Sequence, residues 1–325
     1  MILKEIGEIK IIEWIKNNFQ LSSKNVLVGI GDDTSVLRLG KNNFLITKDL
    51  LIEDVHFKKE FHPPFILGKK SISVNVSDVA SMGGTPLYAL LGGGFPKELE
   101  WDWLEDFLNG IKSSLDKYKI ELIGGDICLS EKIFISITLI GRCKKYSMRK
   151  GAKTGDKIFV SGELGNSSMG LELLISGKRL GEDKIADKLI KSHLDPEPRL
   201  KLGKYLVKNN LVNSMIDLSD GLSKDIHNLC RESACGADIY LNSIPVSKEL
   251  EYFSKYLNKD KYFYSIHGGE DYELLFTSSK NKSDKIKKIS KKIKIIGIIK
   301  EKEKGINLIK DGKKIPLKPE GWEHF

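Results

Sequence analysis

Five aspartate clusters lie within apolar stretches of this chain: Gly31-Asp32-Asp33, Thr47-Lys48-Asp49, Asn75-Val76-Ser77-Asp78, Gly124-Gly125-Asp126 and Asp217-Leu218-Ser219-Asp220-Gly221. Ionised carboxylates in such surroundings are costly unless paired or bound to a cation, and several brought together repel one another. The common explanation is a divalent-metal site, and all-oxygen donors favour Mg²⁺ or Mn²⁺ over zinc. Mg²⁺ characteristically bridges carboxylates to substrate phosphates, so the pattern points to nucleotide chemistry.

Each cluster alone has a plainer reading. Asp32 and Asp33 suit a turn, Asp49 the end of a strand, and Asp220 the N-cap of a helix starting near Leu222. Gly124-Gly125-Asp126 suits a tight turn after a strand. Asp78, three residues after Asn75 and on the same helical face, needs a partner. Taken jointly, the plain readings require five unrelated coincidences. Gly124-Gly125, Gly162 to Gly165 and Gly268-Gly269 are candidate phosphate cradles, because glycine lets backbone N–H groups approach an anion. No Gly-x-x-x-x-Gly-Lys-Ser/Thr run occurs, which excludes a P-loop, and no protein-kinase catalytic loop is found.

At 325 residues the length argues for two domains. The reading is α+β, or mixed α/β: an N-terminal sheet-plus-helices domain over 1–148 and a C-terminal α/β-type domain over 149–325, joined through a basic, polar stretch from Lys144 to Asp156. Strands are expected at Val26 to Gly29, Phe44 to Thr47, Leu87 to Leu91, Ile120 to Ile123 and Ile133 to Gly141. Helices are expected over Met1 to Phe19, Phe65 to Met82 and Leu99 to Tyr118. In Phe65 to Met82, Ile72, Val76, Val79 and Ala80 share one side, and Asn75, Asp78 and Met82 another. The second half mixes helices near Ser168 to Ile175, Arg199 to Lys208 and Leu222 to Arg231 with strands near Lys157 to Ser161, Ser214 to Leu218, Glu273 to Thr277 and Ile293 to Ile299.

A net charge of +9 raises nucleic-acid binding as a competing function, since Lys and Arg neutralise phosphates. The excess is scattered lysine. Its densest run, Lys280 to Lys294, reads as a helix with a solvated face, and it leaves the aspartate clusters unexplained; nucleic acid is not the expected partner. The four cysteines, Cys128, Cys143, Cys230 and Cys235, show neither a Cys-x-x-Cys pair nor zinc spacing and read as structural thiols in a reducing compartment. No apolar run is long enough to span a membrane. With no export signal in Met1 to Phe19, a cytoplasmic location is expected.

With these residues assembled, the sequence resembles the thiamine-monophosphate kinase family, within the superfamily that includes aminoimidazole ribonucleotide synthetase and selenophosphate synthetase. The resemblance runs nearly end to end. It is carried by Gly29 to Asp33, Thr47 to Phe57 ending in Val55-His56-Phe57, Val74 to Asp78 with Ala80 to Gly84, Leu122 to Asp126, Arg149 to Asp156, Ile216 to Leu222, His267 to Leu274 and Gly321-Trp322-Glu323-His324-Phe325. The last two segments are the most specific to the family.

The resemblance implies transfer of the γ-phosphoryl group of ATP, as co-substrate, to thiamine monophosphate by direct in-line attack. It also implies a homodimer whose N-terminal sheets pair, with the active site in the cleft between the domains. Carried over position by position, Asp33, Thr47, Asp49, Asp78, Asp126, Asp217 and Asp220 would hold several Mg²⁺ ions, with Asp33, Asp78, Asp126 and Asp220 at the chemistry. Gly125, Asp126, Arg149 and Ser219 would contact ATP. His56, Glu270 and Trp322 would face thiamine monophosphate, unless His56 is a satisfied core histidine, Glu270 pairs with a nearby lysine and Trp322 merely anchors the tail.

Two departures stand out. Lys48 occupies the middle of a segment that commonly reads Thr-Thr-Asp or Ser-Thr-Asp, and strand alternation would turn it away from Thr47 and Asp49. Asp54 replaces a glycine often found before Val-His-Phe. Other acceptors within the superfamily are the nearest alternative. Selenophosphate synthetase would want a reactive cysteine near the N-terminus, yet no cysteine precedes Cys128, and the hydrogenase-maturation relative would want a C-terminal cysteine where this chain has Phe325.

Overall fold

The computed structural model describes residues 2–19 and 21–321. Two helices open the chain, α1 (Leu3–Ile6) and α2 (Glu8–Asn18), separated at Gly7, whose φ of +76° suits a residue without a side chain. The expected single helix over 1–19 is thus two, and α2 buries none of its residues.

The first sheet is built from β1 (Val26–Val28), β2 (Ser35–Leu39) and β3 (Asn42–Ile52), then, after α3 (Pro64–Ser81), β4 (Thr85–Phe95), and, after α4 (Trp101–Tyr118), β5 (Glu121–Leu129) and β6 (Phe134–Cys143). Its order is β1-β2-β3-β6-β4-β5; β4 and β5 run parallel and all other neighbours antiparallel. Most strands outrun their expected lengths, because polar and glycine residues continue the ladder: β3 pairs with β6 without interruption from Asn43 to Ile52. The expected turn at Gly124-Gly125-Asp126 lies inside β5. That strand is exposed along its whole length, apolar residues included.

Beyond the 144–156 segment come β7 (Lys157–Val160), α5 (Asn166–Ile175), α6 (Lys184–Leu194), α7 (Leu200–Lys208), β8 (Ser214–Asp217), α8 (Leu222–Ser233) and β9 (Gly236–Tyr240). They are followed by α9 (Lys248–Tyr256), α10 (Lys261–His267), β10 (Leu274–Ser278), α11 (Ser283–Lys287), β11 (Lys294–Lys300), β12 (Ile306–Lys310) and β13 (Lys313–Pro316). The second sheet runs β13-β12-β9-β11-β7-β10-β8, antiparallel except for β12 beside β9. The expected helix over Lys280 to Lys294 is corrected: only a 3-10 turn at Lys280–Lys282 and the five-residue α11 form, and the run ends entering β11. Repeated lysines carry helix propensity, but in this run only Ser283, Ile286 and Ile293 are buried, and Ile293 lies beyond α11 just before β11, which leaves too small an anchor for a long helix.

Helix α3 joins the two halves. Its apolar side, including Ile72, Val76 and Val79, packs in one core with Leu45, Leu51, Leu91 and Ile137 of the sheet and Phe107 and Ile111 of α4. Its other side carries Lys70, Ser71, Ser73, Asn75 and Ser77, all buried, and packs against α6, α7 and β8 rather than water. The amphipathic reading of this helix holds for Ile72, Val76 and Val79, but the polar side meets protein, and two placements are corrected: Met82 packs with the first core, and Ala80 packs against α7 in the second half. Asn75 donates to the Ser71 carbonyl (3.2 Å) rather than supporting Asp78.

Glycines permit the close approach on both sides. A Cβ at Gly110 of α4 would meet the Phe65 carbonyl oxygen at 1.9 Å, and one at Gly203 of α7 would meet the Ala80 carbonyl oxygen at 1.9 Å. We expect Gly110→Ala to separate α3 from α4 and lower stability by about 1–3 kcal/mol, the cost of overpacking a close contact. Chemical denaturation checks this; an unchanged midpoint would contradict the packing described.

Candidate active site

The junction held by α3 is where the carboxylates gather. Alternation along β3 turns Thr47 and Asp49 toward α3 and leaves Lys48 exposed, as expected for that departure. Thr47 Oγ1 donates to Asp78 Oδ2. One residue earlier on the helix, Ser77 Oγ donates to Asp217 Oδ2 at the end of β8 (2.5 Å), tying the N-terminal half to the C-terminal half. Asp33, in the loop before β2, receives Arg149 Nε at 2.7 Å and Nη2 at 2.6 Å on one oxygen, Oδ1. Its other oxygen, Oδ2, is buried without a hydrogen-bond partner. The Arg149 amide donates to both oxygens of Asp32 (3.3 and 3.2 Å).

Burial and mutual repulsion set the charge of this cluster. Burial, then the charges of Asp220 and Asp33, push Asp49 up to about 6. Asp217 rises to about 8 through burial and Asp33, against the Ser77 hydrogen bond and Arg149. Asp78 is pushed well above the usual range by burial, Asp49, Asp217 and Asp33. Burial and Asp33 raise Asp32 to about 7 despite Arg149. Burial opposes the charge of Arg149, yet the Asp33 carboxylate overrides it and holds the guanidinium charged.

Sequence reasoning missed one member. Asp225 of α8 is 1 % exposed, accepts from the Asp220 amide (3.2 Å), and is raised well above its usual value by burial, Asp220 and Asp217. Its position as the fourth residue of a polar helix start gave no signal of burial. The expectation that Asp220 caps α8 is corrected: Gly221, at φ +108°, occupies the N-cap. Asp220 instead pairs with Lys224 at 3.1 Å, and Lys224 also reaches Glu8 of α2 at 3.4 Å.

These carboxylates fit a divalent cation by donor chemistry: hard oxygens, several without a cationic partner of their own, and a buried orphan at Asp33 Oδ2. Among the described residues no group of three or more acidic, histidine or cysteine side chains is closed into a ready-made metal cage. Mg²⁺ retains waters and takes phosphate oxygens, so it does not require one.

The remaining expected residues divide. Asp126 and Gly125 do not join the cluster within this chain. Asp49 pairs across the sheet with Ile137, Leu91 and Gly125 in turn, so Gly125 stands three strands away, about 14 Å at ordinary strand spacing, and Asp126 occupies the adjacent row. Ser219 follows β8, and its carbonyl accepts from the Glu270 amide at 2.7 Å. Glu270 lies in a loop with φ +63°, and its Oε2 is 3.0 Å from Lys70 Nζ and 3.1 Å from His193 Nδ1. Its pairing with a nearby lysine is therefore real. His56 Nδ1 accepts from the Ile52 amide at 3.1 Å. Asp54, at the glycine position, takes φ +66° and pairs with Lys132 at 3.0 Å, which explains why glycine suits the site.

Trp322 lies outside the described residues. Gly321, just before it, packs on the site: a Cβ there would meet the Asp220 carbonyl oxygen at 2.5 Å. Gly162 to Gly165 is not an anion cradle, because Asp271 already accepts from the Gly165 (2.7 Å) and Ser167 (3.3 Å) amides at the start of α5. Gly268 and Gly269 serve close packing against Ser168 and Ser219.

A carboxyl raised in the folded state binds protons that the unfolded chain has released, so it loses stability as pH rises from its unfolded value to its folded one. For Asp49 and Asp217 that window runs from about 4 to about 6 and about 8. In chelator the melting temperature should fall between pH 5 and pH 8, and millimolar Mg²⁺ should flatten that slope. Equal slopes with and without Mg²⁺ would contradict the assignment of cation ligands.

Comparison with known proteins agrees with this architecture. Residues 31–143 match the AIR synthase related protein, N-terminal domain, and residues 153–309 match its C-terminal domain. Thiamine-monophosphate kinase of Aquifex aeolicus is 40 % identical over 326 residues, covering 100 % of both chains. That of Buchnera aphidicola from Schizaphis graminum is 41 % identical over 331 residues, covering 99 % of each. The solved structure of AaThiL complexed with AMPPCP and TMP superposes with a TM-score of 0.90 at 39 % identity, covering 100 % of this chain and 99 % of that one. On identity sustained over its whole length, the chain belongs to the thiamine-monophosphate kinase family.

Proposed function

We propose that this protein transfers the terminal phosphoryl group of ATP to the phosphate of thiamine monophosphate, giving thiamine diphosphate and ADP by direct in-line displacement. The observation that carries the reading is the gathering of Asp33, Asp49, Asp78, Asp217 and Asp220 at the seam between the halves, with Arg149 on one side and Glu270 on the other. Two polyanions must approach each other here, so positioning and charge neutralisation outweigh covalent chemistry. Bound Mg²⁺ ions supply that neutralisation and polarise the phosphoryl oxygens.

In this reading Asp33, Thr47, Asp49, Asp78, Asp217 and Asp220 hold the cations, some through water. Asp33, Asp78 and Asp220 stand nearest the transferred group. Arg149 exchanges its contact with Asp33 for phosphate oxygens of ATP, which suit a guanidinium equally well, and Ser219 contacts the nucleotide. His56, Glu270 and Trp322 face thiamine monophosphate: the Glu270 carboxylate accepts from the aminopyrimidine, and the indole stacks on the thiazolium. Residues 1–148 carry the nucleotide and metal side, and 149–325 complete the site.

A homodimer belongs to the same reading. The exposed edge strand β5 presents Leu122, Ile123, Ile127 and Leu129, each about half exposed or more, the kind of surface a second copy covers. Such pairing would give Gly125 and Asp126, which stand apart from the other carboxylates, a site between subunits in which to contact ATP and cation. Among the described residues no helix is long and apolar enough to cross a membrane. The cysteines, free among the described residues, are consistent with a cytoplasmic setting.

Purified protein with ATP, Mg²⁺ and thiamine monophosphate should form thiamine diphosphate, separable by chromatography, and should form none with EDTA or with free thiamine. Asp78→Asn and Asp220→Asn should each lower kcat by about a hundred- to thousandfold, the scale of losing a preorganised electrostatic group, with folding retained. Near-normal turnover in both would overturn the mechanism. Trp322→Ala should chiefly raise KM for thiamine monophosphate; an unchanged KM would reduce Trp322 to a tail anchor.

A further inference from the structure

Among the described residues the largest fully buried side chain is a lysine. Lys70 of α3 is 0 % exposed, and its Nζ lies 3.0 Å from Glu270 Oε2. The same oxygen is 3.1 Å from Nδ1 of His193, a residue of α6 that is 3 % exposed and whose Nδ1 is also 3.2 Å from Ser167 Oγ at the start of α5. Glu270 holds a left-handed backbone (φ +63°), and its amide is fixed to the Ser219 carbonyl. Elements from both halves therefore converge on one carboxylate oxygen, while the Glu270 side chain as a whole keeps 25 % of its surface open.

We infer that Lys70 and His193 are positioning residues that hold Glu270 ionised and aimed, through its second oxygen, at the cationic, amine-bearing ring system of the acceptor. The inference rests on the reading that Glu270 faces thiamine monophosphate. A buried ammonium requires an anion, so Lys70 keeps Glu270 charged whether or not substrate is present. A charged carboxylate only accepts hydrogen bonds, which suits an aminopyrimidine N–H and a nearby thiazolium; a protonated one would present an O–H donor to a donor.

The other groups facing this carboxylate are His62, which lies near Lys70 and Glu270, and the Tyr272 hydroxyl. Burial and Lys70 lower both histidines, and Tyr272 is held protonated by burial and Glu270, leaving Lys70 as the standing positive charge. Burial works against the Glu270 charge, and Lys70 with His193 brings it well below the usual carboxylate range. Lys70 also lies eight residues before Asp78 on the same helix, about 12 Å along its axis. A single rigid element thus sets the spacing between the acceptor-facing carboxylate and the phosphoryl-transfer carboxylates.

The test is steady-state kinetics on the full chain with Lys70→Met, Glu270→Gln, their combination, and the pair His193→Asn and His193→Leu. Lys70→Met should raise KM for thiamine monophosphate by about ten- to a hundredfold, the scale of one charge-assisted hydrogen bond, with kcat and KM for ATP changed by less than about threefold. In that variant KM should climb more steeply than in the wild type as pH falls below neutrality, because Glu270 becomes protonatable in addition to the site's other carboxylates.

In the Glu270→Gln background, Lys70→Met should add little. His193→Asn, which retains a donor near Nδ1, should stay close to wild type while His193→Leu follows Lys70→Met, so the histidine pair decides the matter if the buried lysine variant does not fold. An unchanged KM in Lys70→Met and His193→Leu, or a full further loss on top of Glu270→Gln, would overturn the assignment. Absence of thiamine diphosphate formation by the wild type would instead sink the functional reading, and this inference with it.

Discussion

Burial and mutual repulsion push the carboxyls of Asp49, Asp78 and Asp217 above their usual range, so that full ionisation of all three calls for positive charge among them. Much of the surrounding architecture follows from that constraint. The repulsion is tolerated because each group is fixed by a separate element: Asp49 by β3, Asp78 by α3, Asp217 by β8 and Asp33 by the loop before β2. Three are steadied by neutral or cationic donors, Thr47 on Asp78, Ser77 on Asp217 and Arg149 on Asp33. A folded chain that stores negative charge at a seam is poised for cation-bridged polyanions, and phosphoryl transfer between two phosphate-bearing substrates supplies them.

Helix α3 carries this arrangement mechanically. One side completes the core of the first sheet, and the other meets the second half through buried polar residues. Close packing at Gly68, Gly110 and Gly203 lets backbone approach backbone on both sides, so the helix has little room to shift. Because Lys70, Ser77 and Asp78 all project from it, movement of either half relative to α3 would disturb the proposed acceptor side and the proposed cation side together.

The sequence made the period of α3 and α4 plain, since apolar residues at three- and four-residue spacing survive any tertiary context. It also made the carboxylate clusters visible, because aspartate in apolar surroundings is locally anomalous. What it concealed depends on long-range pairing. The Gly124-Gly125-Asp126 stretch reads as a turn until β4 is laid beside it, and nothing local marks Asp225 until Asp220 is folded against it. The partner of Glu270 sits 200 residues away, so only the fold brings Lys70 to it. The lysine run over 280–294 misled in the opposite sense, its local propensity overruled by the small apolar area it has to bury.

The central claim is that the seam is a cation site completed by nucleotide. Mn²⁺ as a paramagnetic substitute for Mg²⁺ allows bound ions to be counted directly by electron paramagnetic resonance, with and without a non-hydrolysable ATP analogue. The account predicts weak binding to the protein alone and more than one tightly held ion per chain once the analogue is present, lost in Asp78→Asn. Binding that ignores the analogue, or that survives Asp78→Asn unchanged, would contradict it.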